Sequence, residues 1–427
     1  MVAKGRAQAS AYLEWAKLHS EAKFNLATSG IRSYPLAELG VRIEDLEICG
    51  PTKYGWEPLQ ERLARKCGVT PEQVVVANGT AMANHLAMAA LLAPGDDVLV
   101  EEPTYGPMLE VPSYLGANSI RFPRRAENDF RVDPDDVQQR ITAKTRLIVL
   151  TNLHNPSGAL MDEATLRQLG GIAATVGARV LVDEAYLDMV YDPPVRTAAL
   201  LGPEFVVTTS LTKAYGLSGL RCGYILAEPE LATRMWRLDD LFGASPVHVA
   251  ERLSVMALDA LERIRDRAKG ILAANRKPLE AFYANCSEVA GFRSPWGTVS
   301  FPKLLKGSVD EFCELLRSKY ETSVVPGRYF EMPDHFRVGI GGDPAMTAEG
   351  LERLGSALRA AGSRWPVASR FLFADEVHQP AGGDHRAHEQ DPAVEAVADH
   401  RARLIALGDA ENDGSEGGEE QDGREVG

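Results

Sequence analysis

Lys213 stands in Ser210-Leu-Thr-Lys213-Ala-Tyr-Gly216-Leu-Ser-Gly219-Leu-Arg221-Cys-Gly223, immediately after an apolar run. A lysine amine in such a place can condense with an aldehyde cofactor and, once released, carry protons. Ser210 and Arg221 offer donors to a dianionic phosphate, the arginine as a planar fork. Glycines around the lysine let the backbone approach a ligand closely. In isolation the same lysine reads as an ordinary surface residue in a flexible loop, so the surrounding chain has to decide.

Three further clusters do so. Val182-Asp183-Glu184-Ala185-Tyr186 closes the run RVLVD. A carboxylate there can keep a pyridine nitrogen protonated and so make the ring an electron acceptor, while Tyr186 can hydrogen-bond a phenolic oxygen. The bland alternative for Asp183 is a cap on the next helix. Thr151-Asn152-Leu-His154-Asn155-Pro156-Ser157-Gly158 follows the run RLIVL, and its proline and glycine make a turn able to aim the Asn155 amide at that oxygen. Asn78-Gly79-Thr80 lies between VVVA and a helix expected to begin near Ala81. Free N–H groups at a helix start, with no side chain on Gly79, suit an anion, though a plain N-cap at Thr80 would look the same.

These residues need elements to hold them. Helix-like stretches at 57–67, 81–92, 106–115 and 162–175 alternate with β-rich runs at 74–77, 97–100, 146–150, 179–183 and 205–210. The alternation predicts an α/β fold, a three-layer sandwich with a mostly parallel central sheet. Ligands collect at the carboxyl ends of such strands, where Asn155, Asp183 and Ser210 all fall. A long helical region from 228 to about 285, broken near Ser245-Pro246, precedes a smaller α/β segment ending near 362. The expected organisation is an N-terminal arm (1–30), a large domain (31–270), a small domain (271–362) and an acidic, largely disordered tail (363–427) with a short helix at 391–407.

With 427 residues the chain has room for these parts. Its net charge of −14 argues against nucleic acid or an anionic membrane as a partner. No apolar run reaches the roughly 18 residues of a membrane span, and there is no helix-turn-helix at the front. The five cysteines have no metal-ligand spacing, which fits a reduced, cytoplasmic enzyme.

Taken in order, Asn-Pro-Ser-Gly, Asp-Glu-Ala-Tyr and Ser-Leu-Thr-Lys, with an arginine eight residues beyond the lysine, resemble the class I/II aminotransferases over roughly residues 24–362. These are fold-type I enzymes dependent on pyridoxal 5′-phosphate (PLP). The resemblance implies that Lys213 holds PLP as a Schiff base and that Asp183 partners the pyridinium nitrogen. Tyr186 and Asn155 match the groups on the phenolic oxygen, and Ser210, Arg221, Gly79 and Thr80 match the phosphate positions. Asn78 stands where serine or alanine is commoner, leaving its backbone rather than its side chain for the phosphate. Tyr105, in Glu-Pro-Thr-Tyr-Gly, matches the aromatic stacked on the ring. Tyr54 matches the tyrosine that reaches the partner subunit's phosphate, which implies a homodimer with shared sites. Arg337, with Asn155, matches the clamp on the substrate α-carboxylate, and Gly30 the glycine that closes over substrate.

The implied function moves an amino group between an α-amino acid and a 2-oxo acid by a ping-pong mechanism. The same scaffold also hosts β-eliminating C–S lyases, decarboxylases, racemases and cyclising synthases, all using Lys213, Asp183 and Arg221 alike. A PLP-sensing regulator would need a basic winged-helix module ahead of this region, and a dinucleotide dehydrogenase a Gly-x-Gly-x-x-Gly turn. His154 reads as a packing or supporting histidine, and Arg32 and Arg328 as surface or structural arginines before recognisers of a second carboxylate. Tyr34 and Trp56 are candidates for an apolar pocket.

Overall fold

Residues 7, 9–51 and 53–362 are described by the computed structural model. Seven strands build one sheet: β1 (Val74–Asn78), β2 (Asp97–Glu102), β3 (Asn118–Pro123), β4 (Thr145–Thr151), β5 (Arg179–Asp183), β6 (Phe205–Ser210) and β7 (Cys222–Leu226). Their order is β1-β7-β6-β5-β4-β2-β3. β2 to β6 and β3 run parallel, and β7 runs antiparallel to both β1 and β6. Every residue of β6 is buried, and four of the five in β5. Because successive side chains point to opposite faces, burial of both sets means the sheet is covered on both sides.

Five strands lie where the β-rich runs predict them, and β3 and β7 are additions. β3 is an edge strand of sequence NSIRFP with only Phe122 buried, so its polar residues hide the pattern. β7, CGYIL, follows directly on the glycine-containing Lys213 loop, whose turn chemistry dominates the local signal.

The helices form where the sequence punctuates them. Glu57–Cys67 has a proline in its first turn and stops at Gly68, which adopts the left-handed conformation favoured at helix ends. Glu163–Ala174 starts at Asp162, whose carboxylate accepts from Thr165 N at 2.8 Å. The helix after β1 starts at Gly79, two residues before its expected start, and Asn78 is its cap position. Thr80 is therefore inside the first turn rather than the N-cap.

Beyond β7 come helices Pro229–Asp239, His248–Asp259 and Leu261–Asn285, with the break near 245–246 as expected. The last crosses residue 270 without interruption. Phe336–Gly339 pairs antiparallel with Val299–Ser300 and with Val325–Pro326, which places Arg337 opposite Val325. The N-terminal segment threads between these strands and the Lys213 turn. Phe24–Asn25 pairs with Thr322–Ser323, Gly339 N donates to Leu26 O, and Ile31 N donates to Lys213 O. A helix at Ala11–Leu18, capped by Ser10, precedes that segment. The expected tail and its helix at 391–407 lie outside the described residues.

Candidate functional site

A cavity of about 530 Å³ opens at the carboxyl ends of β4, β5 and β6. Lys213, Asp183, Asn155 and Tyr186 line it, and so do Tyr105, Thr80, Ser210 and Arg221. Residues spread over more than 140 positions of sequence thus face one space, because parallel strands deliver their carboxyl ends to the same edge.

Asp183 is buried at the end of β5. Asn84 Nδ2 donates to its Oδ2 at 2.9 Å and Ala185 N to its Oδ1 at 3.0 Å. The second bond is a local turn to the residue two ahead, and the next helical turn, Leu187–Met189, has Tyr186 at its cap position, so Asp183 is not the helix cap the sequence also allows. Asn84 is itself fixed by accepting from Thr208 Oγ1 at 2.5 Å. Burial raises the Asp183 pKa, opposed by the Asn84 and Ala185 bonds and by the nearby Lys213 charge. Lys213 Nζ donates to Ser29 Oγ at 3.2 Å. Burial lowers its pKa, a shift in the direction that a nucleophile or base requires.

On the side nearer β1, Thr80 Oγ1 donates to Ser210 Oγ at 2.8 Å. Arg221 reaches back to Asn78, donating from Nη2 to the carbonyl at 3.2 Å and from Nε to Oδ1 at 3.3 Å. Gly79 has φ +73°, and a Cβ there would collide with the Arg221 guanidinium. The conformation requires glycine, and a side chain there would also push the Arg221 guanidinium aside. Two hydroxyls, a guanidinium and the first turn of a 13-residue helix make a cup with the chemistry of a phosphate site.

Arg337 is fully buried, beside rather than in the cavity lining. Its Nη1 donates to Asn155 Oδ1 at 2.8 Å, and its Nη2 to the Tyr12 hydroxyl at 2.8 Å and Ala27 O at 3.1 Å. Since a guanidinium only donates, the Asn155 carbonyl must face Arg337 and its amide must face away. Nε of Arg337 has no partner. Tyr12 also meets Tyr105 edge-on, with ring centroids 5.5 Å apart.

Among residues singled out from sequence, Gly30 packs on the lysine stem, a Cβ there lying 3.5 Å from Lys213 Cδ. Tyr54 is away from the cavity, half exposed, with its hydroxyl donating to Asp240 at 3.0 Å. His154 is fully buried, its Nε2–H donating to Pro103 O and its Nδ1 accepting from Ser157. Burial, then the Arg124 charge, depresses its pKa well below the usual value, so it is a neutral packing group. Arg32 pairs with Asp343 and Arg328 with Asp310, both at the surface. Tyr34 packs under Arg267 and Trp56 against His248, and neither lines the cavity.

Sequence reading passed over Asn84, Ser29, Tyr12 and Trp15. Asn84 carried a faint signal, one amide inside the apolar helix GTAMANHLAMAAL. Tyr12 and Trp15 lie on Ala11–Leu18, and both line the cavity. Their role depends on where that helix docks, which no local pattern encodes.

An amine, a buried carboxylate and an anion cup thus meet in one cavity at the edge of a mostly parallel sheet. The sequence profile of the aminotransferase class I and II family matches residues 44–354, and the chain belongs to that family. It is 30% identical to capreomycidine synthase of Streptomyces vinaceus, over 75% of this chain and 86% of the relative. It is equally 30% identical to the arginine–pyruvate transaminase of Pseudomonas aeruginosa, over 71% and 82% of the two chains. A solved PLP-dependent aminotransferase from Streptococcus suis superposes with a TM-score of 0.78 at 28% identity, covering 83% of this chain and 98% of the other.

Proposed function

We propose that this chain is a PLP-dependent aminotransferase that moves an amino group from an α-amino acid to a 2-oxo acid in two half-reactions. The observation that carries the reading is the convergence of Lys213, Asp183 and the Arg221 cup on one cavity of a chain in this family. The residues fit the cofactor. Arg221, Ser210, Thr80 and the Gly79 backbone would hold its phosphate, with Asn78 contributing its main chain. Asp183 would face the pyridine nitrogen, Tyr105 the ring, and Tyr186 and the free amide of Asn155 the phenolic oxygen.

When bound, PLP supplies an electron sink for the pair left at the substrate Cα. Arg337 binds the α-carboxylate through its fork, oriented by Asn155, and Gly30 keeps the approach open. Lys213, its pKa lowered by burial, would serve as the base that takes the proton from the substrate Cα and holds it for return. Asp183, held by Asn84, would set its carboxylate toward the ring nitrogen. Tyr12 and Trp15 close the cavity against water.

A homodimer with shared active sites is supported by exposed apolar side chains at Leu241, Phe242 and Val247, the last two lining a groove with Asn78 and Arg221, and by Tyr54, which bonds Asp240 next to Leu241. A cytoplasmic location is supported by five free thiols. The arm, large domain, small domain and tail division of 1–30, 31–270, 271–362 and 363–427 stands as a proposal with these.

The test is Lys213→Ala. The variant should lose both the bound-cofactor absorbance near ~400–430 nm, typical of a lysine-held PLP, and turnover. Retention of both would refute the reading. The synthase among the relatives favours a second outcome, an elimination or cyclising reaction at the same lysine. Amino acid added alone separates them: transamination stops at one equivalent of oxo acid per site, whereas elimination or cyclisation continues catalytically.

A further inference from the structure

Behind the cavity lies a charged pair that neither the proposed mechanism nor the motifs use. Glu101 of β2 and Arg124, just beyond β3, meet at 2.8 Å with both side chains fully buried. A buried ion pair repays its desolvation poorly, and apolar residues of equal size often stabilise as well or better. What such a pair offers is direction.

The hydrogen bonds run toward the active site. Glu101 Oε1 accepts from Thr151 N at 2.8 Å and from Thr151 Oγ1 at 2.7 Å. A threonine hydroxyl has one hydrogen, so giving it to Glu101 turns a lone pair toward Asn155, whose N donates to Thr151 Oγ1 at 3.1 Å. Asn155 then accepts from Arg337. Arg124 fixes the other side of the carboxylate and also donates to Thr151 O at 3.2 Å and Phe130 O at 2.6 Å.

We propose that the Glu101–Arg124 pair is a positioning device: through the Thr151 hydroxyl it holds the Asn155 loop, aiming the Asn155 amide at the cofactor oxygen and its carbonyl at Arg337. Glu101 and Arg124 touch neither cofactor nor substrate and act only through Thr151 and Asn155. The inference rests on the PLP reading above. A donor on the phenolic oxygen makes the cofactor's lysine-bound nitrogen less basic, so a loosened Asn155 raises the pH midpoint of the bound-cofactor absorbance. It also lets Arg337 drift and weakens carboxylate binding.

Thr151→Val removes the hydroxyl at nearly constant shape, Thr151→Ser keeps it, and Glu101→Gln removes the charge. The holoenzymes are compared by absorbance titration, by KM and kcat for an amino donor, and by thermal midpoint. Thr151→Val and Glu101→Gln should raise the absorbance midpoint by about half to one pH unit. They should raise KM by roughly tenfold, with kcat changed less than about threefold. Thr151→Ser should restore both. If Glu101→Gln does not fold, the valine and serine variants decide alone. Wild-type titration and KM in Thr151→Val, with only a lower melting temperature, would overturn the proposal. Absence of any cofactor absorbance in the wild type would instead sink the underlying PLP reading.

Discussion

Replacing Arg337 with lysine isolates the proposed carboxylate clamp. The guanidinium is fully buried and uses both limbs, Nη1 to Asn155 and Nη2 to Tyr12 and Ala27. An ammonium is a point charge on a single stem and cannot span partners on both limbs. At least one charge-assisted bond to the substrate carboxylate is lost, worth about 1.5–3 kcal/mol. That corresponds to roughly 10-fold to 150-fold in kcat/KM. Fold stability is a separate quantity, so the assay is a ratio: kcat/KM for an amino acid divided by that for the amine lacking its carboxylate. Arg337→Lys should lower this ratio by the stated factor and leave the amine within about threefold of wild type. Equal loss on both substrates, or an unchanged ratio, would refute the assignment of Arg337 to the carboxylate.

Asn84→Leu removes the side-chain donor from buried Asp183 and the acceptor from Thr208, and should destabilise the apoprotein by about 1–3 kcal/mol in urea titrations. The cofactor should also dialyse away faster from that variant, and wild-type retention would show that Asn84 does not hold Asp183 for the ring. Lys213 has a folded pKa below its ordinary 10.5, so between those two values the unfolded chain binds more protons than the folded one. Apoprotein stability should therefore rise with pH across that window, and Lys213→Met should flatten the rise. Paired thermal melts of the two apoproteins at several pH values check the slope, and parallel curves would contradict it.

Most of the residues proposed to hold the cofactor were legible in the sequence because each is tied to local chain geometry. Lys213, Asp183 and Asn155 each follow an apolar strand run, and a parallel sheet sends every such run to one edge. The substrate side was less legible. Arg337 entered through resemblance alone, and nothing near it announces that its fork would be shared with Tyr12. The two additional strands were hidden for a similar reason, since edge exposure in β3 and the adjacent loop signal before β7 mask the period-two pattern.

The chain by itself determined the α/β class, the positions of five of the seven sheet strands and the placing of Lys213, Asp183 and Asn155 at strand ends, all properties of local spacing. Tertiary structure alone decided which of those side chains meet. Arg337 reaches Asn155 across 182 positions, Tyr12 across 325, and Lys213 finds Ser29 across 184. Such pairings are set by how the N-terminal segment docks between the Lys213 turn and the strand carrying Arg337. That docking is a matter of long-range packing and buried hydrogen bonding, which no periodicity in the sequence records.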